Sequence, residues 1–308
     1  MKSHSSSLRR ARPLLGTLVE VSATGDPRLL PAAVQAAFTA MERVHRLMSF
    51  HAPDSDVSRL NRYARRYPVS VDPQTCDVLA QARTISEASN GAFDVTVAPR
   101  LVEWGYLPRR ATPRSAARQG GYRRIELQPD AAVRFLEPAL IDLGGIAKGY
   151  AVDRACSALE SHGVVDYIVN AGGDMRVGRA PQIVHVRHPR QPTMLIPFVS
   201  VERAAVATSG AYFVDEHRSN MLIHPIIAPA TGLSTSACDS ISVLAPDCVT
   251  ADALTKVVAV LGERALPVLS HFGAEACLLS KSGQRSHLSV DKARITRNTP
   301  DRVGATTH

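Results

Sequence analysis

Apolar residues recur along this chain with two periods. Over 31–47, Val34, Phe38, Met41, Val44 and Leu47 return at steps of three and four, with Ala37 on the same face. That spacing predicts an amphipathic helix. Residues 15–21 predict a strand ahead of it, and 76–89 a second helix stopped by Asn90-Gly91. Residues 93–106 show no clean period, and 109–121, basic and glycine-containing, predict an exposed excursion. From Val133 the pattern shortens. Residues 139–143 predict a strand, Gly144-Gly145 a turn and 146–159 a helix. A strand at 167–169 closes on Asn170-Ala171-Gly172-Gly173-Asp174, and several more strands follow between 183 and 227. A helix over 249–261 ends at Gly262, before a last strand at 276–279. Strands and helices do not alternate as βαβ units, so the expected fold class is α+β.

Composition adds limits. Hydrophobic residues make up 45 % and charged residues 21 % of 308, which is globular and excludes disordered or collagen-like chains. A mean hydropathy of -0.05, with no long uncharged apolar run, excludes a membrane-spanning chain. The net charge of +8 suggests nucleic acid until its placement is read. Residues 1–13 carry four bases and no acid, and residues 281–308 carry six bases against two acids. The body, 14–280, is therefore neutral and contains no repeat or low-complexity linker. The expected organisation is a basic tail over 1–13, one domain over 14–280 and a basic tail over 281–308, with no nucleic-acid face. Cys76, Cys156, Cys238, Cys248 and Cys277 form no CxxC and lie among apolar or small residues, which predicts buried free thiols. No apolar stretch follows the basic N-terminus. The expectation is a cytoplasmic protein, with an exported form from a different start left open.

Candidate chemistry concentrates in a few segments. Ile141-Asp142-Leu143-Gly144-Gly145-Ile146-Ala147-Lys148 runs from strand through a double glycine into a helix. A helix N-terminus offers N–H groups and a positive dipole end, and Lys148 adds a full charge, so the segment suits a diphosphate. It is not a Walker A loop, and the same residues also suit a tight turn with a surface lysine. Asp252 falls in the first turn of a helix starting near Thr250, with Thr255 and Lys256 on the same face. By residue type this is first an exposed acid complementing the dipole, paired with a lysine. A carboxylate beside a hydroxyl also suits a hard cation such as Mg²⁺. Phe93-Asp94 and Trp104-Gly105-Tyr106 cluster aromatics in a chain only 5 % aromatic, as a flavin or adenine wall requires.

Read in order, the segments resemble the ApbE family of FAD:protein FMN transferases. The resemblance spans roughly 12–280. It runs through Arg12-Pro13-Leu14-Leu15-Gly16-Thr17, Met48-Ser49-Phe50 with Leu60-Asn61, Gly91-Ala92-Phe93-Asp94-Val95-Thr96, and Trp104-Gly105-Tyr106. It continues through the Asp142 to Asp153 block, Asn170-Ala171-Gly172-Gly173-Asp174, Ala207-Thr208-Ser209-Gly210, Pro229-Ala230-Thr231-Gly232 and Ala251-Asp252-Ala253-Leu254. The resemblance implies one compact α+β unit of two lobes with the flavin between them. It implies transfer of the FMN half of FAD to a Thr or Ser hydroxyl of an acceptor flavoprotein, with release of AMP and with Mg²⁺ as cofactor. By position, Met48, Ala92, Phe93 and Asp94 would flank the FAD. Asp142 and Lys148 would contact it around the glycine turn, with Ile226 in the strand beside it. Gly145 (through its carbonyl), Asp252, Thr255 and Lys256 would form the metal face, and His224 and Asp252 the catalytic pair.

The chain departs from the family pattern in three places. The metal-binding Thr four residues after the Asp is Lys256. The run His-Ile-Ile-Asp-Pro reads Pro225-Ile226-Ile227-Ala228-Pro229, which removes its Asp and displaces its His to His224. An ammonium group can pair with phosphate, but it cannot ligate a metal while protonated. Two other functions therefore stay open beside the transferase: a non-catalytic FAD-binding or flavin-delivery protein, and an FAD pyrophosphatase.

Overall fold

The chain opens with a hairpin of β1 (Ser6–Leu14) and β2 (Thr17–Gly25), joined through Leu15 and Gly16, both at positive φ. Two left-handed residues in succession match the twist of the strands they connect. The computed structural model describes residues 5–109, 119–188, 191, 193–210, 225–235, 240–280, 282 and 284–289. Then come α1 (Leu30–Met48), α2 (Asp56–Tyr63), β3 (Val69–Ser70), α3 (Pro73–Ala88) and α4 (Ala98–Glu103). They are followed by β4 (Ile125–Gln128), β5 (Ala132–Phe135) and α5 (Ala147–Ser161). Strands dominate next: β6 (Asp166–Ala171), β7 (Asp174–Val177), β8 (Gln182–Arg187), β9 (Leu195–Val201), β10 (Ala204–Gly210), β11 (Ile227–Ala228), β12 (Leu233–Ser234) and β13 (Ser240–Ala245). The described chain closes with α6 (Cys248–Leu261), α7 (Leu266–His271), β14 (Glu275–Leu279) and β15 (Arg285–Leu288).

Eight strands form an antiparallel sheet in the order β1-β2-β6-β7-β10-β13-β14-β15. Strand periodicity divides its side chains between two faces. Ala205, Ala207, Ile241 and Val243 join the core beneath α1, α5 and α6. Their neighbours Val206 and Leu244 face the other way, where Val184, Ile196 and Phe198 of the β8–β9 hairpin cover them. The three-stranded sheet β3-β5-β4 shares the first core through Val69, Val133 and Phe135.

The two basic segments differ from the tails expected of them. Residues 6–14 form the edge strand β1, and 285–288 form the opposite edge, β15. Ladder hydrogen bonds need no apolar side chain, and charge on an edge discourages pairing with another chain. Arg12 reaches Gln35 at 2.7 Å and lies over the Phe38 ring, so part of the basic N-terminus is structural. Residues 110–118 of the expected excursion, and 290–308, lie outside the described residues. Among the described cysteines, Cys156 and Cys248 are buried free thiols, Cys277 is buried, and Cys76 is half-buried; Cys238 lies outside the described residues. No described helix is long and apolar enough to cross a membrane.

Residues 139–143, expected as a strand, are buried at Ile141 but belong to no sheet. The Asn61 side chain stands in for a strand partner: its amide donates to the Ile141 carbonyl at 2.9 Å, and its oxygen accepts the Ile141 N–H at 2.8 Å. Asn61→Ala would leave both backbone groups unpaired, at about 1–3 kcal/mol each. Urea unfolding should show a loss of about 2–6 kcal/mol for the two groups together, and unchanged stability would show that water replaces the amide.

Candidate active site

Residues 139–143 lead into the glycine turn and α5 at the edge of a cavity of about 420 Å³, within the range of roughly 300–1,000 Å³ usual for small-molecule sites. Phe93, Tyr106 and Leu107 supply an apolar wall, Gly144, Gly145 and Lys148 the α5 end, and Thr208, Ser209 and Gly210 the end of β10. Of the residues singled out from sequence, Ala92, Phe93, Asp94, Asp142, Gly145, Lys148, Ile226 and Lys256 line this one space, although they span more than 160 positions of the chain.

Three do not. Met48 packs into the core at the end of α1. Asp252 and Thr255 are fully buried behind the cavity wall, each at 0 % exposure. His224 lies outside the described residues.

The reading of Asp252 as an exposed first-turn acid is overturned. The helix starts at Cys248, and its N-cap is Asp247, whose carboxylate accepts from Thr250 N–H at 2.8 Å. Asp252 therefore sits a turn further in and faces α5. Its Oδ2 accepts the Gly149 N–H at 3.0 Å, satisfying a free donor in the first turn of α5. The reciprocal contact comes from Asp153 of α5. Its two oxygens accept the Cys248 N–H at 3.0 Å and the Val249 N–H at 2.8 Å, while Arg176 lies 2.7 Å from Oδ1. Each helix thus caps the other's N-terminus with a buried aspartate. Gly149 makes the approach possible, since a Cβ there would sit 2.2 Å from the Cys248 carbonyl oxygen.

Two lysines stand between a pair of buried aspartates, Asp174 and Asp252, and the cavity. Lys148 pairs with Asp174, at the start of β7, and lies 3.9 Å from Asp252. Lys256 pairs with Asp252 Oδ1 and donates to the Asp252 carbonyl at 3.0 Å. Burial works against the charge of Lys148, but Asp252 and Asp174 outweigh it and raise its pKa above the ordinary value. Burial, helped by the Asp252 charge, pushes Asp174 up. Burial opposes ionisation of Asp252 too, but Lys148 and Lys256 more than offset it and hold the carboxylate below its usual range. Asp174 closes the Asn170-Ala171-Gly172-Gly173-Asp174 segment, but its link to Lys148 depends on the β6–β7 turn and is not legible in the sequence.

The other two acids serve the walls. Asp94 Oδ1 accepts from Thr96 N–H at 2.8 Å and Thr96 Oγ1 at 2.7 Å, and Oδ2 accepts from Tyr122 N–H at 2.9 Å. Burial raises its pKa against those hydrogen bonds. Asp142 accepts from Gly144 N–H at 3.1 Å and shapes the glycine turn, and burial raises its pKa as well.

The expected metal face does not fit a divalent cation. Mg²⁺ needs oxygen donors free to turn toward it. Asp252 spends Oδ1 on Lys256 and Oδ2 on Gly149. The Thr255 hydroxyl donates to the Asp252 carbonyl at 2.7 Å and lies 2.8 Å from Ser209 Oγ. Lys256 presents nitrogen. Among the described residues, no three His, Cys, Asp or Glu side chains stand together as a metal site.

A domain of this topology, with a ligand-sized cavity at the N-terminal end of α5, has known counterparts. Residues 15–278 match the ApbE family, and the chain belongs to it. It is 29 % identical to the FAD:protein FMN transferase of Treponema pallidum, over 93 % of this chain and 88 % of that one. It is 30 % identical to the Haemophilus influenzae enzyme of the same name, over 72 % and 70 %. The ApbE protein of Thermotoga maritima superposes with a TM-score of 0.80 at 28 % identity, covering 91 % of this chain and 96 % of that one. The flavin transferase ApbE of Vibrio cholerae gives 0.78 at 25 %, covering 92 % and 97 %.

Proposed function

We propose that this chain transfers the FMN moiety of FAD to a Thr or Ser hydroxyl of an acceptor flavoprotein. The observation that carries the reading is the cavity itself, where an aromatic and apolar wall meets Lys148, at the N-terminus of α5, and Lys256 of α6. A flavin dinucleotide asks for that combination: a flat apolar ring system joined to a diphosphate. Membership of a family whose named relatives perform this transfer supplies the reaction.

The acceptor oxygen bonds to the FMN phosphorus, and the bond from that phosphorus to the bridging oxygen breaks. AMP leaves with the bridging oxygen, and the hydroxyl proton passes to solvent or to His224, the imidazole proposed as base. Lys148 and Lys256 face the charge on the phosphates, which is the main burden of phosphoryl transfer. Asp174 and Asp252 hold those lysines, and the α5 N-terminus adds its dipole. No step is routed through magnesium, because the donors it would need are engaged elsewhere.

Intact-mass analysis of an acceptor flavoprotein incubated with FAD and this protein tests the reading. The expected result is a gain of one FMN, retained on denaturation, with AMP released. Free FMN and AMP without a mass gain would instead establish a pyrophosphatase. An unmodified acceptor with FAD intact would leave a flavin carrier.

A further inference from the structure

We propose that Lys256 takes the place of a divalent cation in this chain, so that Lys148 and Lys256 grip the FAD diphosphate as a two-lysine clamp without bound metal. The proposal rests on the FAD reading above. Two features of the geometry carry it.

First, the Lys256 ammonium sits where a cation serving Asp252 would sit, against Oδ1 of its carboxylate and 3.0 Å from its carbonyl oxygen. The aliphatic stem lies against Gly145, with Cε 3.6 Å from where a Cβ on that glycine would be. An ammonium has three donors. Two are spent on Asp252, which leaves one for the cavity that Lys256 lines.

Second, the charges are layered. The side chains of Asp174 and Asp252 are 3 % and 0 % exposed, whereas those of Lys148 and Lys256 are 32 % and 19 % exposed. A diphosphate entering the cavity meets ammonium groups before it meets carboxylates. The field inside such a low-dielectric cleft is stronger than at a free surface.

Calorimetric titration of the full chain with FAD and with riboflavin, in EDTA and in magnesium, tests the clamp. The wild-type protein should bind FAD equally in both buffers. Lys256→Thr should weaken FAD binding in EDTA by about tenfold or more, equivalent to about 1.4 kcal/mol, and magnesium should restore it. Riboflavin has no phosphate, so its affinity should not change, which also shows that the variant is folded. Wild-type binding of FAD that collapses in EDTA and returns with magnesium would overturn the proposal, as would a Lys256→Thr protein that binds FAD like wild type. Should the variant not fold, the wild-type comparison decides alone. Failure to bind FAD in either buffer would overturn the flavin reading itself, an outcome distinct from metal-dependent binding.

Discussion

Replacing Asp252 with alanine should abolish transfer and also destabilise the fold. Its carboxylate is fully buried, caps α5 through Gly149 and pairs with two lysines. Removing one partner of a buried ion pair costs about 3–5 kcal/mol, because the remaining charge stays desolvated. The Gly149 N–H loses its acceptor as well. Part of that cost is recovered here, since the lysines reach the cavity and can hydrate. Asp252→Asn separates the two effects. It keeps an oxygen for Gly149, so it should retain more stability, but it no longer holds the lysines electrostatically and should still lose activity. Denaturant titration beside transfer assays on both variants gives the answer. An alanine variant with wild-type stability would return Asp252 to the role of an exposed dipole partner, and one with wild-type activity would remove it from the lysine cluster's function.

Gly149→Ala should be nearly as damaging, with a sign opposite to helix propensity. In an exposed helix interior, alanine for glycine stabilises by up to about 1 kcal/mol. Here the new Cβ would lie 2.2 Å from the Cys248 carbonyl oxygen, 2.6 Å from its carbon and 2.8 Å from Asp252 Cβ. Two of those three atoms are backbone, so relief requires α5 and α6 to separate. Separation stretches the Gly149–Asp252 bond and both Asp153 caps together. Overpacking of this kind costs about 1–3 kcal/mol, occasionally more, and the coupled caps place this site at the upper end. Thermal unfolding with FAD binding on the same sample checks it. A melting temperature at or above wild type would show that the helices part without loss.

Several features follow from local pattern alone. The 31–47 helix appears as Leu30–Met48 because a three- and four-residue apolar repeat permits one buried stripe and little else. The glycine turn before α5 and the turn after β6 are legible because glycine, asparagine and aspartate favour turns by local chemistry. The ordered segments of the family resemblance name most of the cavity wall, Phe93, Asp142, Gly145, Lys148 and Ile226 among them.

Tertiary structure decides what a charged or polar residue is for. Residues 139–143 look like a strand, yet Ile141 pairs with one side chain, Asn61, far away in sequence, and the Asp142 N–H with the Val95 carbonyl. Arginine-rich residues 6–14 look like a tail, yet they pair along β2, because ladder bonds are made by backbone. Asp252 looks like a surface acid because nothing within a helical turn reveals that Gly149, more than a hundred residues earlier, brings α5 against it. Lys256 looks like the other half of a solvated pair for the same reason. Periodicity and turn chemistry are short-range and can be read from the chain. The energy of a charge depends on its desolvation and on the groups opposite it, and those come into being only when distant segments pack.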